Sequence, residues 1–511
     1  MPSDALRRLI RQRMADEVGR IDKQAASRVA LVYPSPYAVG MSSLGFQRIY
    51  RAIQALDGIA CERVFLDDGG EGAAAQVERP VSYESLRELG DFPLLAVSVA
   101  YELQLPGLIR MLDAAGIPAE RERRDAHAPL VLCGGPLTFS NPSTLAPFAD
   151  AIVMGEAEGL VEEVLRTLLG AASKSEALSA LARVPHVYVP AFHLGELPSI
   201  AAAHDSLLPA VSVIRTPHTE LSNMLLLETE RGCSRGCTYC VMRRTTNGGM
   251  RLVPEDVVLG SVPEDVRRVG LVGAAVSDHP RITSILRGFA ARGAEVGLSS
   301  LRPDRLKPEF VSVLRAVGYR TLTTALDGAS QRLRDSIERR GQEQHYLEAV
   351  RNARAAGMDR LKLYLMLGLP SETDADIDEC AAFVSELSKV LPVALGIAPF
   401  CSKKNTPLDG MPYAGVDTVQ RRIERLKRGL RGRADVRSVS AKWAWVEHVL
   451  SQGGPAEGRA VAEAVRAGGS FANYKRVFGA LGHRPDGAGY AEARPPLRPD
   501  RERKRRLALA E

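Results

Sequence analysis

The sequence predicts an α/β protein in which an N-terminal Rossmann-like, doubly wound domain precedes a partial (β/α)6 barrel and a small C-terminal helical region. Apolar runs of strand length alternate with longer helical patterns, which is typical of parallel α/β architecture. Glycine-rich turns follow several of these runs, as they do in doubly wound sheets. The chain has 511 residues, of which 45% are hydrophobic. This length is sufficient for two or three domains with ample cores.

The first third of the chain contains the predicted elements of the Rossmann-like domain, with expected boundaries 26–183. Residues 1–25 are expected to form an amphipathic surface helix, because Met1–Arg20 mixes Arg with acidic residues and lacks the apolar segment of a signal peptide. The expected strands lie near Arg28–Tyr33, Leu94–Val99, Leu130–Cys133 and Ala151–Met154. The expected helices lie around Gly45–Leu56, Gln104–Ala115 and Glu158–Leu169.

A linker over residues 184–219 leads to the predicted barrel, with expected boundaries 220–415. Six strand-length runs with helical patterns between them fit a partial barrel, whose site should lie at the carboxyl ends of the strands. The expected strands are Met224–Thr229, Arg268–Val272, Glu295–Ser299, Arg320–Ala325, Arg360–Leu367 and Ala394–Ala398. A helical domain is expected at 416–480, and the Pro, Gly and Arg content of 481–511 indicates a basic, disordered tail.

Cys233, Cys237 and Cys240 form a CxxxCxxC motif directly after the first predicted barrel strand. A loop this short can bind three irons of a [4Fe-4S] cluster and leave the fourth iron open to a substrate. A structural zinc site would need a fourth nearby Cys or His, and none lies between Asn223 and Arg251. Chance placement of the cysteines would produce this spacing about once in a thousand sequences. The motif therefore predicts a cluster with an open coordination site.

The motif, with Tyr239 before its last cysteine, resembles that of the radical S-adenosylmethionine (SAM) superfamily. The resemblance implies that SAM binds the open iron and is cleaved to methionine and a 5′-deoxyadenosyl radical, with Tyr239 approaching the adenine. It also implies SAM contacts at the ends of the later strands, at Gly273, Ala274, Ser299, Arg302, Asp327, Leu367 and Gly368. Helix capping by Ser277, Asp278 or Asp327 and salt bridging by Arg302 are open alternatives. No catalytic residue is assigned.

The remaining titratable and sulfur side chains have simpler interpretations. His279 follows a barrel strand and is interpreted as a capping or packed histidine, although a proton-transfer role is an alternative. The cysteines outside the motif are interpreted as small buried residues, namely Cys61, Cys133 and Cys380. Cys401 follows the last predicted strand and is expected to face the barrel mouth.

Three turns in the first domain follow predicted strands and are rich in small residues, namely Tyr33–Gly45, Cys133–Pro136 and Val153–Gly159. Each alone is explained by phosphate binding on backbone amides or by the closure of a tight βα connection. Together with Tyr101–Gln104, Gly328–Arg334 and Lys362–Thr373, they resemble the branch of radical SAM proteins that has an N-terminal cobalamin (B12)-binding-like domain, over about Val29–Phe478. The resemblance implies cobalamin contacts at Ser35, Tyr37, Gly40, Met41, Leu44, Gly134, Gly135, Pro136, Gly155, Glu156 and Glu158.

The chain also departs from that branch and from other cobalamin proteins. The branch usually has Pro-Glu where this chain has Leu326-Asp327, which leaves a shorter acid near the expected SAM site. Many cobalamin proteins supply a histidine ligand from a DxHxxG motif. His127 lies in the only similar string and is interpreted as a loop residue, so a bound cobalamin would have no histidine ligand from the protein.

These features predict a radical SAM enzyme that uses a [4Fe-4S] cluster, SAM and cobalamin to methylate or rearrange an unactivated carbon. One alternative is a radical SAM enzyme without cobalamin. Another is a methylthiotransferase that modifies tRNA or protein, which would need three N-terminal cysteines for a second cluster, whereas only Cys61 and Cys133 precede Cys233. A redox sensor without enzymatic activity is a further alternative.

Composition and charge limit the expected partners. The formal net charge is +6, and the excess of Lys and Arg lies after Gly415. The basic run Arg501–Arg506 lacks interleaved aromatic residues for base stacking, so we expect no nucleic-acid partner. No apolar run reaches the roughly 18 residues that a membrane span requires. We expect a cytoplasmic enzyme with an organic or macromolecular substrate and an electron donor such as flavodoxin or ferredoxin.

Overall fold

The computed structural model describes residues 2–71, 77–243, 249–298 and 301–494, which form a mixed α/β structure. Its strands are β1 (Ser27–Pro36), β2 (Ile59–Leu66), β3 (Leu94–Ser98), β4 (Leu130–Gly134), β5 (Ala151–Val153), β6 (Val187–Tyr188), β7 (Leu225–Glu228), β8 (Glu230–Arg231), β9 (Arg251–Leu252), β10 (Arg268–Val272), β11 (Glu295–Leu298), β12 (Thr321–Asp327), β13 (Arg360–Leu367), β14 (Val393–Pro399) and β15 (Ala434–Ser438). Its α-helices are α1 (Asp4–Ala15), α2 (Tyr37–Met41), α3 (Leu44–Gln54), α4 (Leu105–Ala114), α5 (Val161–Gly170), α6 (Lys174–Leu181), α7 (Pro190–His193), α8 (Glu255–Gly260), α9 (Ile282–Ala291), α10 (Pro308–Ala316), α11 (Gln331–Ser336), α12 (Glu343–Ala355), α13 (Asp374–Ser388), α14 (Val416–Gly429), α15 (Ala441–Gln452), α16 (Pro455–Arg466) and α17 (Phe471–Ala480).

The chain divides into two compact units, and neither is continuous in sequence. The first unit contains the residues up to Leu227 together with Gly453–His483. The second unit contains Glu228–Gln452 and the residues from Arg484 onward. The boundary between the units falls within β7. No helix in the described ranges combines the length and the hydropathy needed to cross a bilayer.

The first unit is built on a six-stranded sheet in the order β2-β1-β3-β4-β5-β6, which is parallel except for β6. Strands β1 and β2 are buried along almost their whole length, as expected when helices cover both faces of a parallel sheet. The chain turns from one side of β1 to the other, so β1 and β3 flank a topological switch point, where doubly wound sheets bind ligands. The predicted Rossmann-like fold is confirmed.

The four predicted strands and three predicted helices of this domain are present as β1, β3, β4, β5, α3, α4 and α5. The prediction missed β2 and β6. Helix α1 forms within the predicted N-terminal segment, where the Ser3 hydroxyl accepts a hydrogen bond from the Leu6 amide and caps the helix. His127 is exposed in a turn before β4, where the Asp125 carboxylate accepts a hydrogen bond from its amide.

The second unit contains the barrel strands from β8 onward. The barrel strands form two sheets, in the orders β11-β10-β7 and β12-β13-β14-β15, together with the short antiparallel pair β8 and β9. The pairs β10–β11, β12–β13, β13–β14 and β14–β15 are parallel. Buried and less buried residues alternate along β12, β13 and β14, because one face of each strand packs on the helical layer and the other faces the lumen. All six predicted barrel strands are present, and β15 is a seventh that the sequence did not predict.

The helices of the region expected at 416–480 are divided between the two units. Helices α14 and α15 belong to the second unit, whereas α16 and α17 belong to the first. Residues 484–494, which were expected to begin a disordered tail, make defined contacts instead. The Val416 amide donates to the Pro485 carbonyl at 2.8 Å, and the Tyr490 hydroxyl donates to the Leu369 carbonyl at 2.8 Å. Residues 495–511 lie outside the described residues.

Candidate functional site

The cysteine loop follows β8 at the carboxyl end of the first barrel strand, where the active sites of (β/α) barrels lie. Several hydrogen bonds hold this loop to distant segments. The Thr238 amide donates to the Ile337 carbonyl at 3.1 Å, and the Leu408 amide donates to the Thr238 carbonyl at 3.3 Å. Gly232 begins the loop with a φ of +80°, and a Cβ added there would lie 2.0 Å from the Gly249 carbonyl oxygen. Only glycine therefore fits this turn.

The environment of the three thiols suits a cluster. Burial raises the pKa of Cys233 above its usual value and that of Cys240 to about 11, and a bound metal would stabilise these two thiolates. Among the described residues, no three Cys, His, Asp or Glu side chains surround one point closely enough to hold a single metal ion. A [4Fe-4S] cluster needs no such point, because each thiolate binds a different iron. Three cysteines in this spacing match the three protein ligands of a [4Fe-4S] cluster that has one open iron.

A network of charged side chains stands beside the loop, with Asp278 at its centre. Arg235 donates to Asp278 through Nε at 2.7 Å and through Nη2 at 2.8 Å, which is a bidentate pair. Arg302 lies 3.5 Å from the same carboxylate and 3.0 Å from Asp304. Burial alone would raise the pKa of Asp278, but its hydrogen bond with Arg235 and the charge of Arg302 lower it. Arg302 therefore forms salt bridges, and the SAM contact assigned to it stays a prediction.

Tyr239 links the cysteine loop to the end of β12. Its hydroxyl donates to Asp327 Oδ2 at 2.8 Å, and Arg339 Nε lies 2.5 Å from the same oxygen. Burial and the negative charge of Asp327 raise the pKa of Tyr239 well above its usual value, so the phenol stays protonated. Asp327 has a φ of +62°, and the N-cap of the following helix is Ser330. Asp327 thus positions Tyr239 and does not cap a helix.

Glu230 is a site residue that the sequence prediction missed. Its side chain is almost fully buried, and Oε1 accepts a hydrogen bond from the Ala275 amide at 2.6 Å. Its Oε2 is buried and has no hydrogen-bond partner within the described part of the chain. Burial raises the pKa of Glu230 to about 7. A Cβ on Gly273 would lie 2.1 Å from Oε1, so this glycine makes room for the carboxylate.

The other predicted SAM positions also lie at strand ends. Gly273 and Ala274 follow β10, and Arg302 follows β11. Leu367 is the last residue of β13 and is fully buried, and the Gly368 amide donates to Glu372 Oε1 at 2.8 Å. Ser299 lies outside the described residues.

The remaining polar candidates take the simpler of their predicted interpretations. His279 is buried, its Nε2 lies 3.0 Å from the Val253 carbonyl, and its Nδ1 accepts from the Arg281 amide, so it is a packed, capping histidine. The Ser277 hydroxyl accepts from the Arg302 amide at 3.0 Å. Cysteines 61, 133 and 380 are buried, as predicted, and Cys401 Sγ lies 3.1 Å from the Ala444 carbonyl.

Packing within the chain explains the glycines of the first unit that were assigned to cobalamin. A Cβ on Gly40 would lie 2.5 Å from the Phe65 ring, one on Gly135 would lie 2.7 Å from the Val99 carbonyl oxygen, and one on Gly155 would lie 2.3 Å from Ile200. The protein itself fills the space beside these three Cα atoms, so packing alone accounts for these glycines, and they give no independent support for a corrinoid.

The polar residues assigned to cobalamin have partners too. Tyr37 donates to Glu17 at 2.8 Å, Ser35 accepts from Gln104 at 2.9 Å, and Glu156 accepts from the Ala203 amide at 2.8 Å. Ser35 and Gln104 bridge β1 and the segment after β3 at the switch point. The remaining assigned positions also lie at the carboxyl ends of the strands or at the first turns that follow, at Met41, Leu44, Gly134, Pro136 and Glu158. The corrinoid assignment stays a prediction.

Comparison with known proteins agrees with the geometry. The chain is 23% identical over 397 residues to an uncharacterized protein of Methanocaldococcus jannaschii, covering 75% of this chain and 79% of that protein. It is 24% identical over 333 residues to the ribosomal protein uS12 methylthiotransferase RimO of Chlorobium phaeobacteroides, covering 61% of this chain and 73% of the relative.

Among solved structures, apo OxsB, a cobalamin-dependent S-adenosylmethionine radical enzyme, matches with a TM-score of 0.51 at 13% identity. The match covers 72% of this chain but only 52% of the OxsB chain, and it shows a shared fold. Two sequence families match directly: the family of radical SAM proteins, N-terminal, over residues 45–190, and the radical SAM superfamily over residues 227–384. These matches together span more than half of the chain, and the second contains the cysteine loop at the strand ends: the chain belongs to the radical SAM superfamily.

Proposed function

We propose that this protein holds a [4Fe-4S] cluster on Cys233, Cys237 and Cys240 and cleaves SAM there to act on an unactivated carbon of its substrate. The observation that carries the proposal is the cysteine loop itself, which is hydrogen-bonded in place at the carboxyl ends of the barrel strands. A cluster held by these three cysteines, once reduced by an external donor, would supply the electron for reductive cleavage of the S–C5′ bond of SAM, with methionine and a 5′-deoxyadenosyl radical as the products. An external donor of the flavodoxin or ferredoxin class belongs to the same proposal.

The polar residues around the loop would orient SAM. Glu230 offers a buried carboxylate oxygen with no hydrogen-bond partner in the described residues, which suits the cationic amino group of SAM. Arg235 and Arg302 place positive charge beside the loop, where an electron-rich cluster would benefit from it. The Tyr239–Asp327 hydrogen bond fixes the last turn of the loop against β12.

Anaerobic reconstitution tests the proposal. We expect the wild-type protein, loaded with iron and sulfide and reduced by dithionite, to show the electron paramagnetic resonance signal of a reduced [4Fe-4S] cluster and to release 5′-deoxyadenosine from SAM. Each single replacement of Cys233, Cys237 or Cys240 by Ser should abolish both. Cys380→Ala is the matched control, since Cys380 is buried in α13, away from the loop in sequence. Iron loading and SAM cleavage that survive all three Ser replacements would disprove the proposal.

We further propose that the first unit binds cobalamin, which would make the reaction a methyl transfer or a rearrangement. The support is the switch point between β1 and β3, where Ser35, Tyr37 and Gln104 lie. Reconstitution with hydroxocobalamin, followed by desalting and an ultraviolet-visible spectrum, tests it. We expect about one corrinoid per chain. Complete loss of the corrinoid on desalting would leave hydrogen abstraction without methyl transfer from a corrinoid.

A methylthiotransferase activity has less support, although a relative with that name matches the chain. Such an enzyme would need a second cluster on three N-terminal cysteines. Before the cysteine loop this chain has Cys61 and Cys133 alone, and both are buried in strands of the first unit. Iron analysis distinguishes the two activities, because about four irons per chain fit one cluster and about eight fit two.

A further inference from the structure

The lumen of the second unit contains a cavity of about 930 Å³ on the inner faces of β12, β13, β14 and β15. Protein sites for small molecules are typically about 300–1,000 Å³ in volume, so this cavity is large enough for an organic substrate. Its upper end includes Asp327, which also contacts Tyr239 of the cysteine loop. The cavity thus reaches the place where the proposed radical would form.

The charged residues of the cavity leave a surplus of positive charge. Its two carboxylates each have an arginine partner, since Asp327 pairs with Arg339 and Asp435 lies 3.5 Å from Arg437. The cavity is also lined by Arg360 and Lys362, and neither has an ion-pair partner among the residues that the structure describes. Unmatched cations in a concave site attract an anionic ligand.

Lys362 stands beside the groups that would complete an anion site. Thr323 is its register partner on β12, so the two residues lie side by side on adjacent strands, whose backbones are about 4.8 Å apart. Both side chains line the cavity. A hydroxyl and an ammonium on neighbouring strands are types of donor that can bind the oxygens of one phosphate or carboxylate.

Tyr364 provides a flat surface one layer higher in the lumen. Its side chain is 46% exposed although it lies inside the barrel. Its ring lies against Gly396, where an added Cβ would be 3.1 Å from the ring, and Lys362 Nζ lies 5.0 Å from the ring centroid. Gly396 thus contacts one edge of the ring, and the exposed part of the ring can stack on a planar part of a ligand.

We propose that this lumen is the substrate pocket and that it takes an elongated small molecule with an anionic end, held by Lys362 and Thr323, and a planar part stacked on Tyr364. Met366, at the upper end of β13, lies four positions after Lys362, a rise of about 13 Å. The substrate must therefore be about that long if its far end is to reach the cysteine loop. The identification of the ligand as the substrate depends on the proposed function, whereas the anion site itself does not.

Binding of simple probes to the full-length protein without added cofactors tests the site. We expect isothermal titration calorimetry to show that phenyl phosphate or benzoate binds and that the uncharged benzyl alcohol does not. The tighter of the two acids identifies the anionic group. Lys362→Gln should weaken binding about tenfold or more, as expected for loss of a hydrogen bond to a charged group, and Lys362→Arg should restore most of it. Lys389→Gln is the matched control, because Lys389 is exposed on the outer helix side and pairs with Glu386.

A second variant separates the planar contact from the charge. Tyr364→Leu should weaken phenyl phosphate and leave inorganic phosphate unchanged. Equal binding of the acids by wild-type and Lys362→Gln proteins, or equal binding of benzyl alcohol and phenyl phosphate, would overturn the proposal. A melting temperature measured for each variant shows that the comparison is between folded proteins.

The reconstituted enzyme distinguishes failure of this site from failure of the proposed function. Wild-type protein and Lys389→Gln should release 5′-deoxyadenosine from SAM at the same rate when no substrate is present, because Lys389 lies outside the site. Loss of that cleavage in Lys362→Gln alone would place the lysine in the cofactor site and overturn its assignment to the substrate. Absence of cleavage in both proteins would count against the proposed function, and the probe titrations would still decide the anion site.

Discussion

A few buried charged side chains lie around the cysteine loop, and the free-energy cost of burying each one depends on its neighbours. Glu230 is the clearest case, because it carries a carboxyl group in a nearly inaccessible place with one oxygen unpaired in the described structure. A buried carboxylate destabilises a fold unless a cation or a donor compensates it. A bound ligand with a cationic group would compensate the Glu230 carboxylate. The same logic explains why Asp278, with its arginines, and Asp327, with Arg339, are already compensated without a ligand.

The pH dependence of stability tests the state of Glu230 in the metal-free protein. Its pKa is raised from 4.5 to about 7, so the folded state binds this proton more tightly than the unfolded state does. Its ionisation therefore destabilises the fold as pH rises from about 4.5 to 7, by at most about 3 kcal/mol. Glu230→Gln removes this titration. We expect the variant to gain stability relative to wild type between pH 5 and pH 8.

Thermal melts across that pH range provide the measurement for Glu230. The informative quantity is how the difference in melting temperature between wild type and Glu230→Gln changes with pH. The size of that difference at one pH is less informative, because the buried amide of the new Gln adds an unsatisfied donor at every pH. Glu309→Gln is the control, since Glu309 is exposed on α10. Parallel pH profiles for wild-type and Glu230→Gln proteins would contradict the assigned environment.

The sequence located some of these residues and not others, for physical reasons. The cysteines were found because their spacing is itself the chemical signal. Glu230 was missed because an acid next to a strand has no distinctive pattern, and its burial depends on Gly273 and Ala275, more than forty residues away. At the end of β13, Met366 lines the lumen and Leu367 is buried, since adjacent strand residues face opposite sides, and the SAM contact assigned to Leu367 stays a prediction.

At the level of elements, strands with apolar runs were predicted well and strands with charges were not. All six predicted barrel strands are present, whereas β2 was missed because Glu62 and Arg63 interrupt its apolar pattern. Arg63 is fully buried, and its charge is matched by Glu17 and Glu84, which come from other parts of the chain. Strand β15 was missed because most of its residues are exposed, so no apolar run marks it. Both strands depend on partners that local sequence does not reveal.

The segment after His483 is an element without regular structure that we expect to stabilise the second unit. Tyr490 donates to the Leu369 carbonyl and accepts from Arg422, and Arg422 donates to Glu372, which also accepts from the Gly368 amide. This chain of contacts holds the turn at the end of β13. We expect a protein that ends at His483 to lose a few degrees in the melting of the second unit, because each lost buried hydrogen bond costs about 1 kcal/mol.

A protein that ends at Arg494 is the control for this truncation, since it keeps every one of these contacts. Tyr490→Phe provides a finer comparison, because it removes only the hydroxyl. Differential scanning calorimetry measures all three. Equal melting of the proteins that end at His483 and Arg494 would show that the segment does not support the turn.

At the scale of the whole molecule, each unit is built from two separate stretches of the chain. After Gln452 in the second unit, the chain returns to the first unit over Gly453–His483. Helices α16 and α17 come from the end of the sequence but complete the first unit. Their periodicity predicts helices, but it does not specify which surface they cover. That surface is set by close contacts, such as Asn141 Nδ2 donating to the Gly453 carbonyl at 2.8 Å. Sequence patterns therefore gave the helices, and only tertiary packing assigns them to a unit.

Gly458 provides a test of whether α16 packs in the first unit. A Cβ at Gly458 would lie 2.3 Å from the Thr144 carbonyl oxygen, which is backbone and cannot move aside easily. Gly458→Ala should therefore destabilise the first unit, by about 1–3 kcal/mol if it behaves like other overpacked sites, even though alanine favours a helix. At about 2–4 °C per kcal/mol, calorimetry should show a lower melting temperature for one transition and no change in the other.

Gly479→Ala on α17 is the matched control, because no atom lies within 4 Å of its added Cβ. A loss of stability in the transition that Tyr490→Phe also lowers would mean that α16 belongs with the barrel, and the division of the chain into these two units would be wrong.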